Sequence, residues 1–170
     1  IVNANPNNND NLDVRVMQPL GSKDRLSLGA GFQRRTGETL QLFGFRDETY
    51  GRGLRLNLGW THTLSPVMLS NLRLDFSRNR STTTPYFAYG ADVAASLGIA
   101  GTSRNPFSFG PPNLTFTNFG ALNDGNPNFR TDQSWAVTEG ITMTRGQHNF
   151  TTGINYRRSQ IKVPQVPENA

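Results

Sequence analysis

The stretch Leu54-Arg55-Leu56-Asn57-Leu58-Gly59-Trp60-Thr61 decides the fold, because every second residue in it is apolar. Successive side chains of a β-strand point to opposite faces, so this stretch predicts a strand with one apolar and one polar face. The same alternation recurs at residues 12–16, 25–33, 72–77, 135–143 and 150–157, with Glu139 as an exception in the apolar phase. The sequence therefore predicts an all-β fold of about six strands.

We expect these strands to form one antiparallel meander in chain order. The register of such a sheet is set by its apolar pattern, so the apolar residues of all strands should share one face. The residues expected on that face are Leu26, Leu28, Leu54, Leu56, Leu58, Leu72, Leu74, Phe150 and Ile154.

Short and long connections alternate between the predicted strands. Residues 19–24, 65–66 and 145–148 have the composition of tight turns, whereas 36–53 and 78–133 are long. An outer-membrane β-barrel has this layout, with short periplasmic turns on one side and long external loops on the other. Six strands are fewer than the eight usual for closure, and both ends of the sequence look cut. The pattern thus predicts an open slice of a large transmembrane β-barrel.

Composition is compatible with such a slice. The 170 residues carry a net charge of +5 and include no Cys, and the mean hydropathy is -0.53. Spreading apolar residues over alternate positions lowers the mean hydropathy of a barrel wall, so the low value does not argue against one. No run approaches the roughly 20 apolar residues of a transmembrane helix, which excludes a helical membrane protein. The basic residues follow the sheet period and form no basic stripe, so no nucleic-acid partner is expected.

Five segments resemble one receptor family in their order and spacing. They are residues 42–47 (LFGFRD), 59–66 (GWTHTLSP), 110–114 (GPPNL), 144–150 (TRGQHNF) and 153–158 (GINYRR). Together they resemble the barrel of Oar-like TonB-dependent outer-membrane receptors over most of residues 26–160. The resemblance implies that residues 1–170 are part of such a barrel domain in the bacterial outer membrane, with an external loop at about residues 78–133.

The resemblance also implies a function and a set of partners. The whole receptor would bind a small ligand, whose identity is unknown, outside the cell and take it up across the outer membrane. Its partners would be outer-membrane lipid, the rest of the barrel and a plug domain of the same protein, and a TonB-type energy transducer. The transducer would act through an N-terminal part that this sequence does not include.

Two groups of residues are the candidates for binding a ligand. One is the set of aromatic residues in the long loop, and the other is the set of charged residues on the polar face, which would line the lumen. The predicted ligand-binding residues are Tyr86, Phe87, Tyr89, Phe107, Phe109, Arg55, Arg73 and Asp75. Aromatic residues in an irregular loop need burial against each other or against a ligand, and the sequence leaves both readings open. We also expect a helical turn within residues 91–97 and a short strand at 114–119.

The sequence offers no signature of catalysis, of a metal or of a cofactor. His62 and His148 both lie beside predicted turns, where a solvated or interfacial histidine is the default, and no serine has the surroundings of a nucleophile. We therefore expect no enzymatic activity. The alternative function is a soluble or surface-anchored β-sandwich used for adhesion or scaffolding. In that fold a second sheet would cover the apolar face.

Overall fold

The computed structural model describes residues 6–41, 44–118, 120 and 127–163. The strands are β1 (Asn7–Leu20), β2 (Asp24–Leu40), β3 (Arg46–Ser65), β4 (Met68–Thr84), β5 (Asn128–Arg145) and β6 (His148–Lys162). They form one open sheet in the order β1-β2-β3-β4-β5-β6, with every neighbouring pair antiparallel. The predicted meander is confirmed. No helix in the described part of the chain is long and apolar enough to cross a membrane.

The cross-strand register places the apolar residues on one face, as the alternation predicts. Leu28 is directly opposite Leu58, which is opposite Leu74, and Leu74 is opposite Val137. In antiparallel strands directly opposite residues share a face. The same rows contain all nine residues that the sequence places together, and they also contain Trp60, Phe76, Trp135 and Tyr156. This surface is called the apolar face below.

Nothing in the described residues covers the apolar face. Leu56 is 44% exposed and Ile154 is 76% exposed, and the buried hydrophobic residues are limited to Ala94, Phe107 and Ala136. All six described strands lie in a single sheet, so no second sheet packs on the first. The alternative of a β-sandwich is therefore wrong for the described part of the chain. An uncovered apolar face of this size needs cover from a membrane or from another protein surface beyond the described residues.

The strands are longer than the apolar pattern indicates. Residues 36–53 are not a long connection, because β2 and β3 extend towards each other and leave only residues 41–45 between them. Here Thr36 pairs with Tyr50 and Glu38 pairs with Glu48, so the backbone ladder continues where both faces are polar. For the same reason β1 is longer than the short strand predicted at residues 12–16.

The long connection between β4 and β5 is also shorter than the predicted loop at residues 78–133. Strand β4 continues to Thr84 and β5 begins at Asn128, so the loop spans residues 85–127. Its described residues contain the expected helical turn, α1 (Val93–Ser96), and a 3-10 turn at Pro106–Ser108. The strand predicted at residues 114–119 is reduced to an isolated bridge at Leu114, and Phe119 lies outside the described residues.

The three short turns lie together at the opposite end of the sheet. They consist of residues 21–23, 66–67 and 146–147. Gly21 has a φ of 75° and Gly146 a φ of 61°, a backbone conformation that glycine adopts without steric cost. Short turns at one end and the 85–127 loop at the other give the sheet the polarity of an outer-membrane barrel wall.

The length of the strands can be compared with the thickness of a membrane. Strand β3 has 20 residues, which extend about 65 Å at about 3.3 Å per residue. With a tilt of about 40° it rises about 50 Å, roughly twice the apolar band of about 25 Å on a barrel. The ten residue steps from His62 to Arg52 cover about 25 Å of that height and contain Leu54, Leu56, Leu58 and Trp60. The strands thus extend beyond the apolar band, chiefly at the loop end.

Candidate functional site

Charged side chains gather at the centre of the polar face, around a concavity of about 860 Å³. Odd-numbered residues of β1 to β4 share this face, and Arg157 of β6 joins them through Ala136 of β5, which lies opposite Asp75. The members, called the polar-face cluster below, are Asp13, Arg15, Arg55, Arg73, Asp75 and Arg157. Four arginines and two aspartates give the cluster a formal charge of +2.

Two ion pairs lie within the polar-face cluster. Arg73 donates from Nε to both carboxylate oxygens of Asp75, at 3.1 and 2.9 Å. Arg55 Nη2 lies 3.7 Å from Asp13 Oδ1. Both pairs are largely exposed, so each contributes little to stability. Among the described residues no carboxylate forms an ion pair with Arg15 or Arg157, so these two guanidinium groups supply the positive charge that remains.

Two glycines on β2 leave room for polar side chains on this face. A Cβ atom on Gly29 would lie 2.4 Å from Asn57 Oδ1, and one on Gly31 would lie 2.5 Å from Asp13 Oδ1. Real Cβ contacts are not this short, so larger residues would push Asn57 or Asp13 away. The glycines therefore let the side chains of β1 and β3 lie flat over β2 and keep the concavity open.

The structure brings together the three polar-face residues that the sequence singles out. Arg55, Arg73 and Asp75 all line the same concavity, and ligand binding by them stays a prediction. Sequence reasoning missed Asp13 and Arg15 as members. Only the pairing register reveals them, because Asp13 lies opposite Gly31, which in turn lies opposite Arg55.

A buried carboxylate holds the beginning of the 85–127 loop. Asp47 is 2% exposed and accepts a hydrogen bond from the backbone N–H of Tyr86, at 3.1 Å, on Oδ1. Its other oxygen, Oδ2, accepts from Gln41 Nε2. Asp47 thereby joins the 41–45 connection to the long loop. A buried charged group without a cationic partner is stable only when its oxygens are hydrogen-bonded, so both contacts are needed.

The aromatic residues of the loop pack mainly on one another and on the strand ends. Phe45, Tyr86 and Phe87 form one group, with ring centroids 4.7 to 5.1 Å apart. Tyr89, Phe107 and Phe129 form the second group.

Phe107 is 6% exposed, and its ring stacks on that of Phe129 with centroids 4.5 Å apart. The ring centroid of Tyr89 lies 5.6 Å from that of Phe107. Phe129 lies opposite Thr82 on the apolar-face side of the sheet, so this part of the loop does not lie over the polar-face cluster. Phe109 is half-buried and Phe116 is exposed. The structure thus separates the loop aromatics from Arg55, Arg73 and Asp75, and self-packing accounts for the burial of Phe107.

A third polar group marks the turn end of the apolar face. Trp60 Nε1 donates to Asp24 Oδ1 at 2.9 Å, and His62 Nδ1 lies 2.6 Å from the same oxygen. A tryptophan with its N–H bonded to a polar group is typical of the aromatic girdle at a membrane interface. Glu139, the exception in the alternation, is in the same row as Trp60 and accepts a hydrogen bond of 2.6 Å from Ser70. In the described part of the chain no three His, Cys, Asp or Glu residues are placed to hold a metal ion.

Comparison with known proteins places the chain in a domain family. No curated protein and no solved structure matches the chain significantly. A family model described as an outer membrane beta barrel domain matches residues 1–169. The open meander, the uncovered apolar face and the short turns at one end agree with that match. The chain therefore belongs to the outer membrane β-barrel domain family, and membership supports a location in the bacterial outer membrane.

Proposed function

We propose that the chain forms part of the wall of a TonB-dependent receptor that binds a ligand outside the cell and takes it up across the outer membrane. The resemblance of the five segments, from residues 42–47 to residues 153–158, supports this function. The strand lengths are compatible with it, since β3 rises about 25 Å beyond the height of an apolar band. The remaining strands, the plug domain and the TonB-type transducer would be supplied by the rest of the system.

The polar-face cluster is the observation that carries the proposal. A wall that serves only as a membrane anchor has no need of four arginines around one concavity of about 860 Å³ on its lumen side. Because Arg15 and Arg157 have no carboxylate partner in the described residues, the cluster favours a ligand with anionic groups. In this proposal the cluster acts during passage through the lumen, and Tyr86 and Tyr89, which are exposed in the loop, contact the ligand first.

Conductance of the full-length protein in planar lipid bilayers tests whether a plug closes the lumen. A plugged receptor carries almost no KCl current until urea unfolds the plug, after which large channels open. An open porin conducts from the start. Immediate, stable conductance without urea would contradict the receptor and favour a porin.

A pair of matched variants tests the role of the cluster. Replacing Arg15 and Arg157 with glutamine should lower cellular uptake of a labelled anionic probe such as ferric citrate. The control replaces Arg25 and Arg35, which face the same side outside the concavity, and removes the same charge. Uptake that falls equally in both variants would show a general charge effect. Uptake of such probes that continues after a protonophore removes the proton gradient would contradict energy coupling.

A further inference from the structure

The upper edge of the apolar face, towards the 85–127 loop, is marked by arginine. The apolar side chains of the apolar-face phase form central runs at residues 26–32 on β2, 54–60 on β3, 72–76 on β4 and 154–156 on β6, and each run is followed, towards the loop end, by one residue of the same phase. On β2, β3, β4 and β6 that residue is arginine. The positions, together with Arg80, which lies one step further along β4, are called the arginine belt: Arg34, Arg52, Arg78, Arg80 and Arg158.

The edge of the apolar face descends across the sheet as a tilted barrel wall requires. Phe32 and Leu54 are opposite each other, but the next residue in the same row is already Arg78 on β4. On β4 and β5 the edge lies one apolar-face row closer to the short turns, at Phe76 and Trp135. On β6 it lies one row closer again, because Arg158 lies opposite Trp135. Strands that tilt by about 40° cross a horizontal membrane surface in such steps. The four edge arginines therefore lie at about one height in the membrane, and Arg80 lies about 5 Å above Arg78.

That height is the boundary between hydrocarbon and headgroups in the outward leaflet. Arg52 lies ten residues from His62, which with Trp60 marks the other edge of the apolar face. Ten residues at about 3.3 Å and a tilt of about 40° give about 25 Å, the height of the apolar band of a barrel. The belt is on the side of the long loop, and long loops face outwards in this class of protein.

The belt brings like charges together, and the carboxylate directly opposite it, Asp10 of β1, forms no ion pair with it in the described residues. Arg34 is directly opposite Arg52, and Arg52 is directly opposite Arg80. Such neighbours have Cβ atoms about 5 Å apart and repel each other. In the described part of the chain no belt arginine forms an ion pair, although Asp10 lies opposite Arg34. On the polar face Arg55, Arg73 and Arg130 each have an aspartate partner, whereas Arg15 and Arg157 have none in the described residues.

Tyr50 orients two of the guanidinium groups. Arg52 donates from Nε to the phenol oxygen of Tyr50, and its Cζ lies 5.1 Å from the centre of the ring. Arg34 Cζ lies 5.9 Å from the same ring. Tyrosine at a membrane interface keeps its ring near the hydrocarbon and its hydroxyl among the headgroups. The contact therefore holds two arginines near the plane in which lipid phosphates lie.

We propose that the arginine belt binds the phosphate groups of anionic lipids in the outward leaflet of the outer membrane. Guanidinium groups bind phosphate oxygens through two parallel hydrogen bonds, and several arginines on neighbouring strands can hold the phosphates of one lipid. Lipid phosphate also supplies negative charge on β3, β4 and β6, where no carboxylate lies opposite a belt arginine. The proposal depends on insertion of the sheet in the membrane and is independent of ligand uptake.

The test compares two lipids on the full-length protein in detergent. Fluorescence anisotropy measures binding of labelled lipid A, which carries two phosphates, and of the same lipid after enzymatic removal of both. We expect the phosphorylated lipid to bind about a hundredfold more tightly, from about fivefold for each of three arginines at an anionic lipid surface. Equal affinity for the two lipids would overturn the proposal. This comparison uses the wild-type protein, so it does not depend on the folding of a variant.

A variant and its control locate the site. Replacing Arg34, Arg52 and Arg78 with glutamine should weaken binding of lipid A about a hundredfold and bring it to the level of the dephosphorylated lipid. The control replaces Arg25, Arg35 and Arg104, which lie outside the belt, and should bind as the wild type does. Equal loss in both variants would overturn the assignment to the belt. Inorganic phosphate should not displace lipid A at equal concentration, and displacement would assign the site to free phosphate instead of lipid.

Discussion

Replacing Leu56 with arginine should destabilise the membrane-inserted sheet. Leu56 is on the apolar face, opposite Ala30 and Phe76, and about midway between His62 and Arg52. Its side chain is 44% exposed in the open sheet, and in a barrel wall that exposed part contacts hydrocarbon. An arginine there would have to stay in the hydrocarbon or bend away from the position where leucine packs.

The expected cost is about 2–4 kcal/mol, the value for arginine on the lipid face near the bilayer midplane. This corresponds to a folding equilibrium constant lowered by about 30- to 700-fold, since about 1.4 kcal/mol is a factor of ten. The matched control is Asn57→Arg, one residue further along β3 at almost the same depth. Asn57 is on the polar face opposite Asp75, so the new charge meets water, a carboxylate and the arginines of the polar-face cluster, but no hydrocarbon. Its cost should stay within about 1 kcal/mol.

Guanidinium unfolding of the full-length protein in phospholipid vesicles measures both variants. Tryptophan fluorescence follows the loss of the inserted sheet, and heat-resistant mobility on a gel gives an independent measure of the folded fraction. Leu56→Arg should shift the midpoint to lower denaturant and Asn57→Arg should leave it nearly unchanged. Equal shifts, or a larger shift for Asn57→Arg, would refute the assignment of the two faces.

Two further changes probe the loop and the sheet. Asp47→Ala leaves the backbone N–H of Tyr86 without its acceptor, at a loss of about 1–3 kcal/mol. Proteases should therefore cleave the 85–127 loop faster while the sheet stays heat-resistant. Unchanged cleavage would argue against this anchor. Gly153→Ala puts a Cβ 2.4 Å from the backbone oxygen of Glu139 and should lower the free energy of unfolding by about 1–3 kcal/mol. Gly140→Ala is the control, because its Cβ meets no atom closer than 4.0 Å. Equal effects of the two changes on the free energy of unfolding would contradict this packing.

The part of the fold that lies in the membrane can be predicted from the sequence, because the lipid enforces alternation. Leu54, Leu56 and Leu58 must face hydrocarbon, and their neighbours must not. Beyond the apolar band both faces of a strand meet water and the constraint disappears. Residues 36–40 and 46–53 therefore have no apolar alternation, although Glu38 and Glu48 are paired in the ladder.

The candidate sites depend on contacts between strands and loops that no local pattern specifies. Arg55 and Arg73 could be assigned to the polar face from their phase alone. The contribution of Arg15 required the register of β1, since Arg15 reaches the concavity across Gly29. The arginine belt was equally hidden, because Arg34 and Arg52 are far apart in sequence and meet only through the pairing of β2 with β3.

Spin-label scanning of β3 tests the central claim most directly, that this sheet spans the membrane with its apolar face against lipid. The chain has no Cys, so single cysteines at each position from 53 to 62 give unique labelling sites within it. In the full-length protein in vesicles, collision with oxygen, which dissolves in lipid, and with a water-soluble nickel chelate should alternate with a period of two residues. Labels at Leu54, Leu56 and Leu58 should favour oxygen, and labels at Arg55 and Asn57 should favour nickel. Uniform access of the nickel chelate to all positions, or the opposite phase, would contradict the account.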